Sequence, residues 1–193
     1  MNESDPRRIL LDIAKILDDL RLPYLITGGM AVFIWGRPRF TADIDLVIEL
    51  APNKVENLER ALKELYKSGY IDREAMQDAV AGHGEFNFID GNTGMKVDFW
   101  VSTGDAFDVS RMKRRIARDI QNYRVHFSAP EDLILSKLRW YADSRSSRHL
   151  EDIDSVLHFS AKEIDYEYLK IWAKKLGYSE ILEAALKKQT KED

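Results

Sequence analysis

Leu25-Ile26-Thr27-Gly28-Gly29-Met30-Ala31 and, further on, Asp43-Ile44-Asp45-Leu46 decide how this chain is read; thirteen residues separate Gly29 from Asp43. Tyr24 to Thr27 is a short apolar run that predicts a strand ending at the glycine pair, and Met30 to Trp35 predicts a helix. A glycine pair there lets backbone approach a ligand with no Cβ in the way. Exposed amides at a helix N-terminus favour phosphate. Taken alone, the pair also fits a plain strand-to-helix turn.

Asp43 to Leu50 alternates acidic and apolar residues, which is strand periodicity. Asp43 and Asp45 then point to one face, with Cα atoms about 6.5–7 Å apart. Two carboxylates at that spacing repel unless a cation sits between them. Mg²⁺ takes oxygen ligands and keeps waters and phosphate oxygens in its shell. The plain alternative is a strand face with two solvated acids.

A third acid lies in Met95-Lys96-Val97-Asp98-Phe99-Trp100-Val101. Glu85 to Asp90 and Met95 to Val101, joined by Gly91-Asn92-Thr93-Gly94, predict a hairpin. An aspartate in so apolar a strand is costly to bury unless paired or metal-bound. If this strand lies beside the Asp43/Asp45 strand, three carboxylates share a face, as two-metal phosphoryl transfer requires. A strand-end acid on the surface is the alternative.

Working outward, Ile9, Leu10, Ile13, Ile16, Leu17 and Leu20 place an amphipathic helix over residues 6–20, stopped before Pro23. Pro52-Asn53 opens another helix to about Lys67, with Val55, Leu58, Leu62 and Leu65 inward. Residues 112–127 predict two strands, Arg124 to Phe127 the clearer. Ser128 to Glu131 reads as a capping box with Pro130 in the first turn, starting a helix to about Ala142. Helices near 148–158, 165–176 and 179–188 follow. The element pattern predicts an α+β or α/β head over residues 1–127, then a helical region over residues 128–193.

Composition narrows the options. The 193 residues are 45% hydrophobic and 32% charged, with net charge −4 and no cysteine. Disulfide scaffolds, thiolate zinc sites and cysteine nucleophiles are excluded. No apolar run approaches the roughly 20 residues that span a bilayer. The first residues are polar and acidic, unlike a secretory signal, so a cytoplasmic protein without membrane partners is expected. Residues 111–148 hold ten Arg and Lys against four acids, a basic stretch on an acidic chain. It suggests one particular anionic ligand, or a solvated face bridged to acids elsewhere. His83, His126, His149 and His158 lack metal-ligand spacing, and Trp35, Trp100, Trp140 and Trp172 are read as core.

The glycine pair, the Gly36-Arg37-Pro38-Arg39-Phe40-Thr41-Ala42-Asp43-Ile44-Asp45 stretch and the later Asp98 together resemble the nucleotidyltransferase superfamily. The G-x-x-R-x-T-x-D-x-D form resembles its AbiEii-type branch, known as toxins of toxin–antitoxin systems. Pro130-Glu131-Asp132-Leu133 through Lys137-Leu138, and Arg148 through Asp152-Ile153, resemble that branch's later motifs. The resemblance covers roughly residues 20–160. It implies a polymerase-beta-like mixed sheet. It implies Mg²⁺ on Asp43, Asp45 and Asp98, with Asp98 also the general base. Gly28 and Gly29 would cradle the triphosphate of an NTP substrate. Lys137 would reach the phosphates and Asp152 would orient it, while Arg39 and Thr41 would contact phosphate or brace their loop. Implied partners are a nucleotide, a tRNA or other RNA acceptor, and an antitoxin. Antibiotic nucleotidyltransferases share the glycine pair and the D-x-D, so a small-molecule acceptor is the competing expectation. A catalytically silent binding module is a third.

Overall fold

Period-two apolar patterning builds a seven-stranded sheet, and period-3.6 patterning builds the helices around it. The computed structural model describes residues 6–192, with side chains described for residues 7–189. The chain divides into two compact units. One takes Met1–Thr27 and Thr41–Phe127, the other Gly28–Phe40 and Ser128–Asp193.

The first unit carries every strand of the sheet: β1 (Tyr24–Ile26), β2 (Asp43–Ile48), β3 (Tyr70–Ile71), β4 (Glu85–Ile89), β5 (Lys96–Val101), β6 (Ile116–Ile120) and β7 (Tyr123–Phe127). Their spatial order is β3-β4-β5-β2-β1-β7-β6. β2 pairs in parallel with β5, and β1 with β7; the other pairs are antiparallel. The expected hairpin is β4–β5, and the pair expected within residues 112–127 is β6–β7.

Around the sheet lie α1 (Pro6–Asp19), a 3-10 turn at Pro52–Lys54 running into α3 (Val55–Leu65), α4 (Arg73–Gly82) and α5 (Ala106–Arg114). Ile44, Leu46, Val97, Phe99, Phe86 and Phe88 are at most 3% exposed and form one buried side of the sheet. Phe86 and Phe99 stack with ring centroids 4.8 Å apart. Fully burying such a side chain contributes about 1.5–3 kcal/mol.

β3, α4 and α5 go beyond the expected elements. α4 buries Met76, Ala79 and Val80, a three-residue helical stripe, and its N-cap Asp72 accepts from the Glu74 and Ala75 amides. α5 is capped by Asp105, which accepts from the Asp108 amide. Both caps are standard acceptors for orphan first-turn amides. Neither helix carries a long apolar stripe, which is why periodicity alone passed over them.

The second unit is helical: α2 (Gly28–Trp35), α6 (Pro130–Ser144), α7 (Ser147–Phe159), α8 (Tyr166–Leu176) and α9 (Ser179–Glu192). α2 starts at Gly28, two residues before the expected Met30, and the φ of Gly28 is +60°, a left-handed value that glycine adopts without strain. Trp35 is 3% exposed; its indole donates to the Ser128 carbonyl at 2.8 Å, and the Trp35 carbonyl accepts from the Ser160 hydroxyl at 2.5 Å. A Cβ on Gly36 would meet the Ser155 hydroxyl at 2.6 Å, so glycine is what lets the end of α2 lie against α7. Trp100, Trp140 and Trp172 are only half-buried, so of the four tryptophans Trp35 alone is full core.

The expected capping box is not formed. Ala129 is the N-cap of α6, with no side-chain cap bond, and the buried Ser128 hydroxyl has no hydrogen-bond partner. Glu131 is turned away: its carboxylate accepts the Asp165 amide at 2.6 Å. Tertiary burial of the whole first half of α6, Pro130 to Leu138, outweighs the local cap.

Candidate active site

The sheet register places the three sequence-identified acids of the first unit. In the parallel β2–β5 pair, Asp45 stands opposite Asp98 and Asp43 opposite Lys96. Paired residues of adjacent strands project to the same side, and i, i+2 residues share a face. Asp43, Asp45 and Asp98 therefore lie on one face. Asn87 of β4, paired with Asp98, extends that row. Beyond Asp45 the same face becomes apolar, where Val47, paired with Leu25, packs with Met112 of α5 and Trp100. Ile44, between the two acids, is fully buried on the other side, as the alternation predicts.

Each acid is in contact. The Thr41 hydroxyl donates to Asp43 Oδ1 at 2.6 Å and bridges to the Asp43 carbonyl at 3.3 Å. The Thr27 amide donates to the Asp45 carbonyl at 2.8 Å, fixing the residue just before the glycine pair. Asp98, whose side chain is 13% exposed, is met by the Lys96 ammonium at 2.9 Å. That hydrogen bond, more than the opposing effect of burial, raises the Lys96 pKa, and the charges of Asp98, Glu85 and Asp43 add to it. Lys96 was not singled out from sequence, although its i, i+2 spacing to Asp98 places both on one face.

Three carboxylates are the oxygen-only donor set that a hard divalent cation prefers. As the side chains stand, no three acids or histidines among the described residues are drawn together closely enough to hold a metal ion. The set fits Mg²⁺ by donor chemistry and by face, and a cation, the Lys96 ammonium, already sits on one member.

The second unit brings Arg39, Lys137 and Asp152 together. Arg39 forks onto Asp152, Nε to Oδ1 at 2.7 Å and Nη2 to Oδ2 at 2.9 Å. The Lys137 ammonium of α6 lies 2.8 Å from Asp152 Oδ2, with both side chains at most 5% exposed, and 4.9 Å from the centre of the Trp140 ring. Burial works to raise the Asp152 carboxyl; the Arg39 hydrogen bonds and the Lys137 charge outweigh it and hold it below the usual aspartate value.

His149 of α7 borders this group. Its ring centre is 5.8 Å from that of Trp140, and its buried Nδ1 has no hydrogen-bond partner. Burial chiefly, then the charges of Lys137, Arg148 and Arg39, push its pKa down. In the basic stretch, Arg111 is tied to Asp108 at 2.5 Å and Arg115 donates to the Met112 carbonyl at 2.7 Å, while Lys113 is exposed. No helix among the described residues is long and apolar enough to cross a membrane.

A mixed sheet with two acids on one strand and a third on its parallel neighbour, in a chain that also carries a helix opened by a glycine pair, is the pattern the nucleotidyltransferase resemblance implies. Solved structures share the fold. The complex of ANT(2'')-Ia with adenylyl-2''-tobramycin matches at TM-score 0.57 and 16% identity, covering 86% of this chain and 92% of that one. An antigenic nucleotidyltransferase-like protein from Paracoccidioides brasiliensis matches at TM-score 0.57 and 23% identity, covering 94% and 91%. The lincomycin-bound lincosamide antibiotic adenylyltransferase LnuA matches at TM-score 0.53 and 11% identity, covering 77% and 94%. No curated protein sequence matches the chain. The family model for the nucleotidyl transferase AbiEii toxin, type IV toxin–antitoxin system, matches residues 8–190, and the chain belongs to that family.

Proposed function

We propose that this nucleotidyltransferase moves a nucleoside monophosphate from an NTP to a hydroxyl of an RNA acceptor, the 3′ end of a tRNA, with Mg²⁺, and that it acts in the cytoplasm as a toxin restrained by an antitoxin. The observation that supports it most is the register of Asp45 against Asp98, with Asp43 on the same face.

In this reading Asp43, Asp45 and Asp98 would hold Mg²⁺, which when bound would supply charge neutralisation for phosphoryl transfer. An Asp98 oxygen takes the proton of the acceptor hydroxyl. The acceptor oxygen forms a bond to the α-phosphorus as the bond from that phosphorus to the bridging oxygen breaks, and pyrophosphate leaves. Gly28 and Gly29 present backbone amides to the triphosphate. Lys137, held by Asp152, supplies a fixed ammonium to phosphate oxygens, and Arg39 keeps Asp152 in place. Thr41 orients Asp43. Catalysis is positioning plus charge neutralisation. The basic stretch, with Lys113 exposed, offers contacts to an RNA backbone.

Incubation with each labelled NTP, Mg²⁺ and total RNA tests the reading, with label expected on small structured RNA. A second reading, transfer to a small-molecule hydroxyl, draws on the fold shared with the antibiotic adenylyltransferases. Label on an aminoglycoside or lincosamide and none on RNA with any nucleotide overturns the RNA acceptor in its favour.

A further inference from the structure

Phe40 is 81% exposed, well above the other exposed large hydrophobic residues, which range from 40% to 60%. A single exposed apolar residue is ordinary on a protein surface. What sets Phe40 apart is the backbone beneath it. Its carbonyl accepts from two guanidinium groups, Arg39 Nη1 at 3.1 Å and, more loosely, Arg148 Nη2 at 3.4 Å. Arg39 is itself forked onto buried Asp152, which holds Lys137. On the N-terminal side, the Arg37 amide donates to the Ser155 hydroxyl of α7 at 2.5 Å, and Pro38 restricts the intervening φ. The ring therefore projects into solvent from a braced loop.

Two exposed arginines accompany it. Arg37 and Arg148 are both exposed, and residues 28–42 contain no Asp or Glu. A braced aromatic with flanking arginines is the surface that binds single-stranded nucleic acid: the ring stacks on a base and the guanidiniums meet the adjoining phosphates. Bracing the loop beforehand removes part of the ordering cost of binding.

We propose that Phe40 is a stacking platform for an unpaired base of the RNA acceptor, with Arg148 and Arg37 contacting its phosphates. This rests on the RNA-acceptor reading above and adds to it the residue that seats the strand. A base has a π-face whatever its identity, so the platform takes a single-stranded end without strong sequence preference.

Fluorescence anisotropy of a labelled single-stranded RNA with a free 3′ hydroxyl, in the presence of Mg²⁺, tests the proposal on the full chain. Phe40→Ala and Phe40→Leu are expected to weaken RNA binding by about tenfold or more, and Phe40→Trp to preserve or tighten it. Binding of ATP, followed by calorimetry, is expected to be unchanged in all three. RNA binding equal to the parent in the Ala and Leu variants overturns the stacking role and leaves the RNA-acceptor reading standing. Loss of ATP affinity in step with RNA affinity also overturns it, because the ring would then serve the nucleotide. A parent protein that binds no RNA overturns the acceptor reading and the platform together. Since Phe40 buries little, all three variants are expected to keep the parent circular dichroism spectrum, and the Leu–Trp contrast reports the aromatic face separately from bulk.

Discussion

Arg39 and Asp152 are 113 residues apart in the chain and are joined by two hydrogen bonds of 2.7 and 2.9 Å, the planar fork of one side chain matching the carboxylate of the other. Lys137 completes the group on Asp152 Oδ2. Asp152→Asn would leave a buried ammonium and a guanidinium facing a neutral amide. Removing one partner of a buried ion pair costs about 3–5 kcal/mol. We expect a fall in Tm of about 6–20 °C, read by calorimetry. Arg39→Lys, which loses the fork, is expected to fall in the same direction. An unchanged Tm in Asp152→Asn contradicts the assignment.

Asp45 and Asp98 face each other across a parallel pair, and like charges directly opposite are destabilising. Asp45→Asn keeps the side-chain shape and removes its charge, and is expected to abolish nucleotide transfer with the folded state, read by calorimetry, retained. Activity and calorimetry on one preparation check this. A variant that retains transfer removes Asp45 from the proposed reaction.

Gly28 sits at φ +60°. A side chain there pushes Cβ against the carbonyl, costing about 1–2 kcal/mol. Gly28→Ala is expected to lower stability by that amount and to weaken NTP binding, because the start of α2 must shift. Calorimetry of ATP binding distinguishes a purely structural glycine, for which affinity holds.

Stability is expected to fall in two stages on acidification. His126 and His149 are held below their ordinary 6.5, chiefly by burial. A depressed histidine pKa means the unfolded chain takes the proton first. Its contribution is whole above about pH 6.5 and is lost as pH falls through the folded-state value. Asp108 and Asp152 form the second stage. Burial works to raise both, but Arg111 and Thr103 around Asp108, and Arg39 and Lys137 around Asp152, lower them below the ordinary 3.8. Their contributions are present above that value and are lost as pH falls through the lowered ones. Tm measured from about pH 8 down to about pH 2 should show both declines; a curve flat to about pH 4 argues against neutral buried imidazoles.

Much of this was legible in the chain. Alternation over Asp43 to Leu50 gave the strand and the shared face of its acids, and the turn at Gly91–Gly94 announced the hairpin that carries Asp98. What alternation could not supply was which strand Asp98 would stand beside, since parallel pairing is set by tertiary packing and not by local pattern. The pairing of Arg39 with Asp152 was invisible for a similar reason: guanidinium partners far apart in sequence leave no spacing to read. Ser128 to Glu131 misled because a cap motif is a local preference, and burial of α6 sends Glu131 to the Asp165 amide instead. Lys96 could have been found from the two-residue rule already applied to Asp43 and Asp45.

The partnership of β2 with β5 also governs when this chemistry becomes available during synthesis. β4, α3 and α4 are made between the two strands, so a growing chain that has displayed Asp43 and Asp45 has no third carboxylate to set beside them until residue 98 has left the ribosome. Lys137 and Asp152 come later still, and contacts so distant in sequence close late. Under the proposed reading, a polypeptide cut short before residue 152 therefore lacks at least one of the groups assigned to the reaction.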